Sequence, residues 1–454
     1  MQKINAKQAL TKKGWEANVE ISIKDGRIAG IQPSPLGSYA SVGLALPAPT
    51  NLHSHSFQRA MSGLTEARGR DPSDSFWTWR RMMYAFLDQL TPDHVQAIAA
   101  QVFSEMLEAG YASVAEFHYL HHDTNGVPYA NSAELCERIM AAATNVGIGL
   151  TMVPVLYQHG GLDKRPLVGG QRRFGNTPDD FAELYERAKR VVRSGPQDYN
   201  IGVAPHSLRA VDRTGLDLAI YLADGAPVHM HLAEQVAEVT EVQSALNARP
   251  VEWLMDHYNV DQNWCLIHCT QMTSFETTAL ARSGAVAGLC PITEANLGDG
   301  IFNAVQYLTN EGRVGFGSDS NVHISFFDEL RALEYSQRLR DKSRAALAIS
   351  DRSTGRVLFD VATSGGAQAA ARNNGVLAQG ALADIVALDL DNAWGANRSG
   401  DMALDTLVFG GNGHRCITDV WSAGRHVVQQ GRHTAREKIL CNYMAAMAEL
   451  EQDL

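Results

Sequence analysis

The sequence has 454 residues, of which 45% are hydrophobic and 20% are charged. This composition is typical of a folded globular chain, and the length favours one large domain with a smaller one beside it. The formal net charge is -11, and no stretch gathers lysine and arginine into a basic stripe, so nucleic acid is not an expected partner.

The N-terminal segment does not have the character of a targeting signal. It carries lysines with no apolar run behind them, and no later segment offers about 18 uninterrupted apolar residues. Six cysteines scattered through so long a chain do not suggest a disulfide framework. We therefore expect a cytoplasmic protein without a membrane partner.

The two ends of the chain favour short β-strands joined by turns. Residues 19–23 alternate apolar and polar side chains, and the Asp25-Gly26 pair behind them is typical of a hairpin turn. Residues 384–388 form another short β-like run, in which apolar residues follow Asp384. We expect residues 1–46 and 375–454 to build one small β-sandwich, with a helix at the C-terminus.

Between the two ends, short apolar runs alternate with stretches of helical periodicity. This alternation is typical of parallel βα units. Helical stretches such as 93–109 and 133–144 separate candidate strands at 44–46, 113–117, 149–155, 200–204, 228–231, 265–268, 285–289 and 314–317. Eight units predict an α/β fold of the (β/α)8 TIM-like barrel type over residues 47–374.

Two histidines, His53 and His55, follow the first predicted barrel strand. Side chains at i and i+2 of an extended segment point the same way, so one metal ion can take both. The functional site of a (β/α)8 barrel lies at the carboxyl ends of its strands. Four further strand ends carry polar side chains that could join it, namely His206, His231, His268 and Asp319.

The fifth strand end adds a group suited to proton transfer. Glu234 follows His231 by three residues, where it can face a metal without binding it. A single strand-end histidine is more often a hydrogen-bonded barrel residue, and it is the joint placement of these side chains that predicts a metal centre. A His/Asp set with an open position suits catalytic zinc, which lowers the pKa of bound water to about 7.

The fourth strand favours one metal ion over two. Two ions in such a barrel generally need a bridging ligand, often a carboxylated lysine at this strand. The chain has no lysine between Lys189 and Lys342, and the strand ends in His206. Of the other histidines, His229 is expected in the core, and a surface position is expected for His94, His257 and His433.

The strand-end pattern resembles the amidohydrolase superfamily in its cytosine-deaminase-like branch. Within that branch the chain is similar to the formimidoylglutamate deiminase family, and the resemblance spans nearly the whole sequence. It rests on the motifs at residues 51–58 (NLHSHSFQ), 74–80 (DSFWTWR), 115–122 (AEFHYLHH), 206–209 (HSLR) and 293–300 (TEANLGDG).

The resemblance implies hydrolysis of N-formimidoyl-L-glutamate to N-formyl-L-glutamate and ammonia, a step of histidine degradation. It implies a homodimer with one Zn²⁺ per subunit, although such sites accept other divalent ions. The metal ligands would be His53, His55, His231 and Asp319. Glu234 would protonate the imino nitrogen, Asp319 would accept the proton of the attacking water, and His268 would hydrogen-bond the tetrahedral centre.

The implied substrate carries two carboxylates, so a net acidic enzyme must present local positive charge. Guanidinium groups can hold a carboxylate through two parallel hydrogen bonds. Arg80 and Arg209 match the carboxylate-binding arginines of the family. Gln58, Tyr119 and His206 match its further polar substrate contacts.

Two alternatives remain open on the sequence alone. Another deaminase or chlorohydrolase of the branch would act on a purine, pyrimidine or triazine ring, and such a ring favours aromatic walls over arginines. A non-catalytic metal-binding barrel would be expected to lack one of Glu234, His268 and Asp319, and all three are present.

Overall fold

The computed structural model describes residues 1–35, 41–64, 83–84, 86–391, 395, 397–411 and 413–450. Within these ranges, no helix combines the length and the apolar character needed to cross a membrane. The strands are β1 (Gln2–Thr11), β2 (Gly14–Lys24), β3 (Arg27–Pro33), β4 (Val42–Pro47), β5 (Thr50–Ser54), β6 (Ser113–His118), β7 (Gly149–Leu156), β8 (Asn200–Ile201), β9 (Ala204–Pro205), β10 (Val228–Leu232), β11 (Trp264–His268), β12 (Val286–Leu289), β13 (Arg313–Phe316), β14 (Ile385–Leu388), β15 (Ile417–Ser422), β16 (Arg425–Gln429) and β17 (Arg432–His433).

Helices follow most of the strands. The α-helices are α1 (Pro92–Glu108), α2 (Glu134–Val146), α3 (Pro178–Arg193), α4 (Arg213–Ala223), α5 (Val236–Leu246), α6 (Pro250–His257), α7 (Ser274–Ser283), α8 (Pro291–Leu297), α9 (Ala304–Thr309), α10 (Phe326–Asp341), α11 (Thr354–Ala369), α12 (Asp401–Phe409) and α13 (Arg436–Leu450). Short 3-10 helices lie at Ser56–Met61, Thr124–Gly126, Gly169–Arg173 and Gly413–Cys416.

Strands β5 to β13 form the barrel, with β8 and β9 together serving as its fourth strand. Parallel pairing runs from β5 through β6 to β7, which pairs with both β8 and β9, and from β10 through β11 and β12 to β13. Single parallel bridges close the circle, one between Val203 and Val228 and one between Ser54 and Asp319. The predicted TIM-like barrel is confirmed.

Local sequence explains where the barrel helices begin and end. Helix α1 has Pro92 in its first turn, and the Thr91 side chain accepts a hydrogen bond from the backbone N–H of His94. The Thr91 side chain satisfies one of the free N–H groups at the start of the helix, and Pro92 has no N–H group to satisfy. Gly147 caps the C-terminus of helix α2, and its φ of 82° is a left-handed conformation that glycine adopts without strain. The two predicted helical stretches match α1 and α2.

The first barrel strand lies later in the chain than the sequence analysis placed it. Residues 44–46 belong to β4, which pairs in parallel with β1 and antiparallel with β14 outside the barrel. The barrel begins with β5, so His53 lies within the strand and His55 directly follows it. The run 44–46 is apolar because β4 is largely buried in the terminal sheet. A hydrophobic pattern does not show whether a strand is buried in that sheet or in the barrel.

The ends of the chain form one eight-stranded sheet in the order β17-β16-β15-β14-β4-β1-β2-β3. The turn between β2 and β3 contains Asp25 at φ 50° and Gly26 at φ 76°, the conformation of the two-residue hairpin that the Asp-Gly pair predicts. A separate apolar core, which includes Ile21, Ile385 and Trp421, lies on this sheet.

The C-terminal helix covers part of the barrel. Glu108 of α1 accepts a hydrogen bond from the backbone N–H of His433 at 2.8 Å and pairs with Arg436, and His94 Nε2 lies 2.9 Å from Glu449 Oε2. His94 and His433 are therefore buried, and their expected surface position is wrong because the end of the chain folds over them. His229 is in the core as expected, and its Nε2 lies 2.8 Å from the carbonyl of Ala369.

Candidate active site

Four side chains from strand ends one, five and eight meet at the carboxyl end of the barrel. Nε2 of His53 lies 3.1 Å from Nε2 of His231 and 3.3 Å from Oδ1 of Asp319, and Nε2 of His55 lies 3.1 Å from the same oxygen. One ligand atom from each residue lies within 4.8 Å of the others, and all four residues are buried. The structure brings together the four residues that the sequence analysis offered as metal ligands.

Backbone contacts between strands one and eight hold these ligands in place. The backbone N–H of Asp319 donates to the carbonyl of His53, and the N–H of His55 donates to the carbonyl of Asp319, both at 2.9 Å. Gly317 permits this close approach, since a Cβ atom there would lie 2.6 Å from the His53 carbonyl oxygen. Asn51 joins the same strands by donating to the Ser318 hydroxyl at 2.6 Å.

The protonation states of the cluster suit a cation. Burial lowers the pKa of His53 to about 3 and that of His231 well below its usual range, so both imidazoles are neutral. Burial alone would raise the pKa of Asp319, but the neighbouring His53 and His55 hold it well below the ordinary value. His55 Nδ1 lies 3.0 Å from the Phe117 carbonyl, to which it donates, and this leaves Nε2 free to bind.

This donor set fits a divalent metal ion. Neutral imidazole lone pairs that face one another at 3.1 Å repel unless a cation or a proton lies between them. Three such nitrogens and one carboxylate oxygen are the ligands that zinc and related ions take in catalytic sites with an open position. The residues present therefore fit a resident metal.

Next to the cluster, His268 lies among three carboxylates. Its Nε2 is 3.9 Å from Oε1 of Glu234 and 3.9 Å from Oδ2 of Asp319, and its Nδ1 is 3.3 Å from Oε1 of Glu294. Burial would lower the pKa of His268, but the neighbouring Glu234, Glu294 and Asp319 raise it to about 10. The site thus offers a hydrogen-bond donor at His268 and a carboxyl group at Glu234.

Four further predicted contacts line the same pocket. Gln58, Tyr119, His206 and Arg209 all border it, and Gln58 donates to the Tyr119 hydroxyl at 2.7 Å. Nη2 of Arg209 lies 3.6 Å from Oε2 of Glu234, so a guanidinium stands beside the proposed proton donor. Arg80 and its motif at residues 74–80 lie outside the described residues.

Sequence reasoning missed several residues of this site. Glu294, which holds His268, lies inside the motif 293–300, and its place before the Asn-Leu-Gly end of α8 could have marked it. Glu238 contacts the backbone of Glu234, and its position in the first turn of α5 was a usable signal. One wall of the pocket is aromatic, which no periodicity indicated; it consists of Tyr84, Tyr119, Tyr157 and Phe174.

The sequence of this chain matches a known protein family and a curated relative over most of its length. Residues 44–427 match the amidohydrolase family, and residues 1–38 match a domain described as formimidoylglutamate deiminase HutF, N-terminal domain. A formimidoylglutamate deiminase of Pseudomonas aeruginosa is 47% identical over 457 residues, which cover 99% of this chain and 100% of that protein.

Solved structures share the fold over nearly the full length. An amidohydrolase from Brucella melitensis superposes with a TM-score of 0.94 and 46% identity, covering 99% of this chain and 100% of its own. An adenosine deaminase from Xanthomonas campestris with bound zinc gives a TM-score of 0.82 at 19% identity, covering 99% of this chain and 98% of its own, and this likeness concerns the fold.

This chain belongs to the amidohydrolase family, whose members are metal-dependent hydrolases. The barrel, the histidine and aspartate cluster and the family match over residues 44–427 agree on this class. Within it, the chain groups with the formimidoylglutamate deiminases, because both its N-terminal domain and its whole length match them.

Proposed function

We propose that this protein hydrolyses N-formimidoyl-L-glutamate to N-formyl-L-glutamate and ammonia, a reaction of histidine degradation. The observation that carries the proposal is Arg209, whose guanidinium lies 3.6 Å from the Glu234 carboxylate in the pocket that also contains the metal ligands. A carboxylate of the substrate bound at Arg209 would place its neighbouring formimidoyl group beside Glu234 and His268. The full-length likeness to a formimidoylglutamate deiminase supports this substrate.

We infer that the resident metal is a single zinc ion held by His53, His55, His231 and Asp319. Three nitrogens and one oxygen suit zinc, although other divalent ions bind similar sets. The residue directly after the fourth strand is His206 rather than a lysine, which supports one ion. When bound, the ion would supply Lewis acidity that makes water a nucleophile near neutral pH.

The residues around it would manage the protons of the reaction. As the oxygen of water bonds to the formimidoyl carbon, Asp319 would accept a proton from that water, and Glu234 would protonate the imino nitrogen that receives the electron pair of the C=N bond. His268 would donate a hydrogen bond to the oxygen that gains charge. Asp319 would then pass its proton to the same nitrogen, and ammonia would leave as the C=O bond forms and the remaining hydroxyl proton returns to Glu234.

A second candidate is the deamination of a ring, and the aromatic wall of the pocket favours it. Tyr119 and Phe174 meet edge to face with ring centroids 4.7 Å apart, and Tyr157 lies 5.7 Å from Phe174. These rings pack on one another and could also stack on a purine or a pyrimidine. The Arg209 guanidinium beside Glu234 argues for the dicarboxylate.

Ammonia release by the zinc-loaded protein distinguishes the two candidates. The substrates are N-formimidoyl-L-glutamate, N-formimidoyl-L-aspartate, guanine and cytosine. Turnover of the glutamate compound with little or none of the ring amines supports the first proposal, and the aspartate compound is expected to be slower, since one methylene is worth about 1–3 kcal/mol. Turnover of a ring amine alone would refute it.

The family resemblance also supports a homodimer and a cytoplasmic location as proposals. Sedimentation equilibrium of the purified chain tests the first, because a dimer has twice the mass of 49.4 kDa. A monomer at the concentrations used for assays would refute it. Fractionation of cells that express the chain tests the second.

A further inference from the structure

Glu238 makes two hydrogen bonds to the backbone around the proposed proton donor. Its Oε1 accepts from the N–H of Ala233 at 3.1 Å, and its Oε2 accepts from the N–H of Glu234 at 2.9 Å. Glu238 lies in the first turn of α5 and is 2% exposed. Both oxygens of one buried carboxylate thus bind two successive amides at the end of the fifth strand.

The segment that Glu238 holds has a backbone conformation that does not form easily by itself. Ala233 has a φ of 50°, in the left-handed region that residues with a Cβ atom rarely adopt. From the opposite side, the Thr270 hydroxyl lies 3.3 Å from the Ala233 carbonyl and also contacts the Glu234 carbonyl. The peptide that carries Glu234 is therefore held between α5 and the loop after β11.

Glu238 also affects the pKa of Arg209 in the pocket. Burial would lower the pKa of Arg209, but the charges of Glu238 and Glu234 raise it above the ordinary value. Arg209 thus interacts with two carboxylates, of which one lies in the proposed reaction centre.

We propose that Glu238 is a positioning residue that keeps the Glu234 carboxylate aimed at the reacting group. The inference rests on the proposed function, since it acts through the proton-transfer role of Glu234. Glu238 faces backbone amides and not the pocket, so it has no direct part in the chemistry.

The substitution Glu238→Gln tests the proposal, with Glu241→Gln on the exposed face of the same helix as its control. The amide retains one acceptor oxygen, and its NH₂ group would face a backbone N–H. We expect kcat to fall about 10- to 100-fold, as misplacement by about 1 Å can do, while metal content and KM stay near those of the wild type. An unchanged kcat would overturn the proposal.

A double substitution separates positioning from general stabilisation of the fold. In a Glu234→Gln background, Glu238→Gln should change the residual rate less than about threefold, because the carboxylate through which it acts is already gone. The same loss in both backgrounds would mean that Glu238 acts independently of Glu234, against the proposal. If Glu238→Gln does not fold, Thr270→Val removes the opposite contact and should also lower kcat with KM unchanged.

A crystal structure of the Glu238→Gln variant gives a readout that does not depend on the substrate. We expect the Glu234 carboxylate to move relative to His268, from which its Oε1 is 3.9 Å away in the wild type. An unmoved Glu234 with Ala233 still at positive φ would overturn the proposal whatever the substrate is. A wild-type enzyme that is inactive on N-formimidoyl-L-glutamate would instead refute the proposed function.

Discussion

The Nε2 atoms of His53 and His231 lie 3.1 Å apart, although the two residues belong to the first and fifth strands, on opposite sides of the barrel. Each nitrogen belongs to a buried, neutral imidazole with a lone pair to offer. Two such groups share a buried site at low cost only when a cation or a proton lies between them. This pair is the basis of the first prediction.

Removal of the metal should abolish activity and lower the melting temperature, because a ligand bound by the folded state alone stabilises it. Dialysis against a chelator followed by addition of Zn²⁺ should restore both. His231→Gln is expected to lose the metal, whereas His257→Gln, at an exposed position, should retain it. Metal analysis by mass spectrometry measures the content. Full metal content in His231→Gln would contradict the proposed ligand set.

Glu234→Gln should keep the metal and lose most of the turnover. Its Oε1 lies 3.9 Å from His268 Nε2 and it is not among the four clustered ligand groups. General acid–base groups contribute about 10²- to 10⁴-fold to the rate, so kcat should fall by that factor. Glu241→Gln serves as the control. A variant with the wild-type kcat would exclude the proposed proton transfer.

Arg209→Met should weaken the use of the dicarboxylate substrate. A hydrogen bond to a charged group is worth about 1.5–3 kcal/mol, which corresponds to a loss of about 10- to 150-fold in kcat/KM. Arg213→Met, at an exposed position near the start of α4, is the matched control. Steady-state kinetics on N-formimidoyl-L-glutamate measure both. If Arg209→Met bound the substrate as well as the wild type, the anchor would lie elsewhere.

Asp198 should contribute stability that depends on pH. It accepts from Arg425 Nη2 at 2.7 Å and from Arg372 Nη2 at 3.0 Å, which ties the barrel to the terminal sheet. Burial would raise its pKa, but these arginines hold the pKa below the ordinary value. Because the folded-state pKa is the lower one, the contribution is complete above the unfolded pKa of about 4 and is lost as the pH falls through the folded value.

Asp198→Asn should therefore cost about 1–3 kcal/mol at pH 7, and the difference from the wild type should shrink between about pH 4 and the acid limit of folding. Asp163→Asn, on an exposed side chain, is expected to melt like the wild type. Thermal unfolding at several pH values measures the difference. A deficit of equal size at pH 3 and pH 7 would show that the ion pair is not its cause.

The sequence by itself determined the class of fold and the ligand types. Alternating strands and helices indicate a barrel because each βα unit must bury its apolar face against its neighbours. In such a barrel, side chains at the carboxyl ends of strands converge, and His53, His55, His231, His268 and Asp319 do so in the structure. The Asp25-Gly26 hairpin could also be predicted, because the conformation of the turn is set by these two residues.

Tertiary structure alone decided the features that depend on residues distant in sequence. The run 44–46 belongs to the terminal sheet because β1 and β14 pair with it, and no local pattern identifies those partners. His94 and His433 are buried because the C-terminal segment packs on α1. Ala233 has a left-handed φ in a segment whose backbone hydrogen-bonds to Glu238 and to Thr270, two residues of other elements. Such features depend on contacts between residues that are distant in sequence. Hydrophobic periodicity and residue propensity indicate only local conformation and burial.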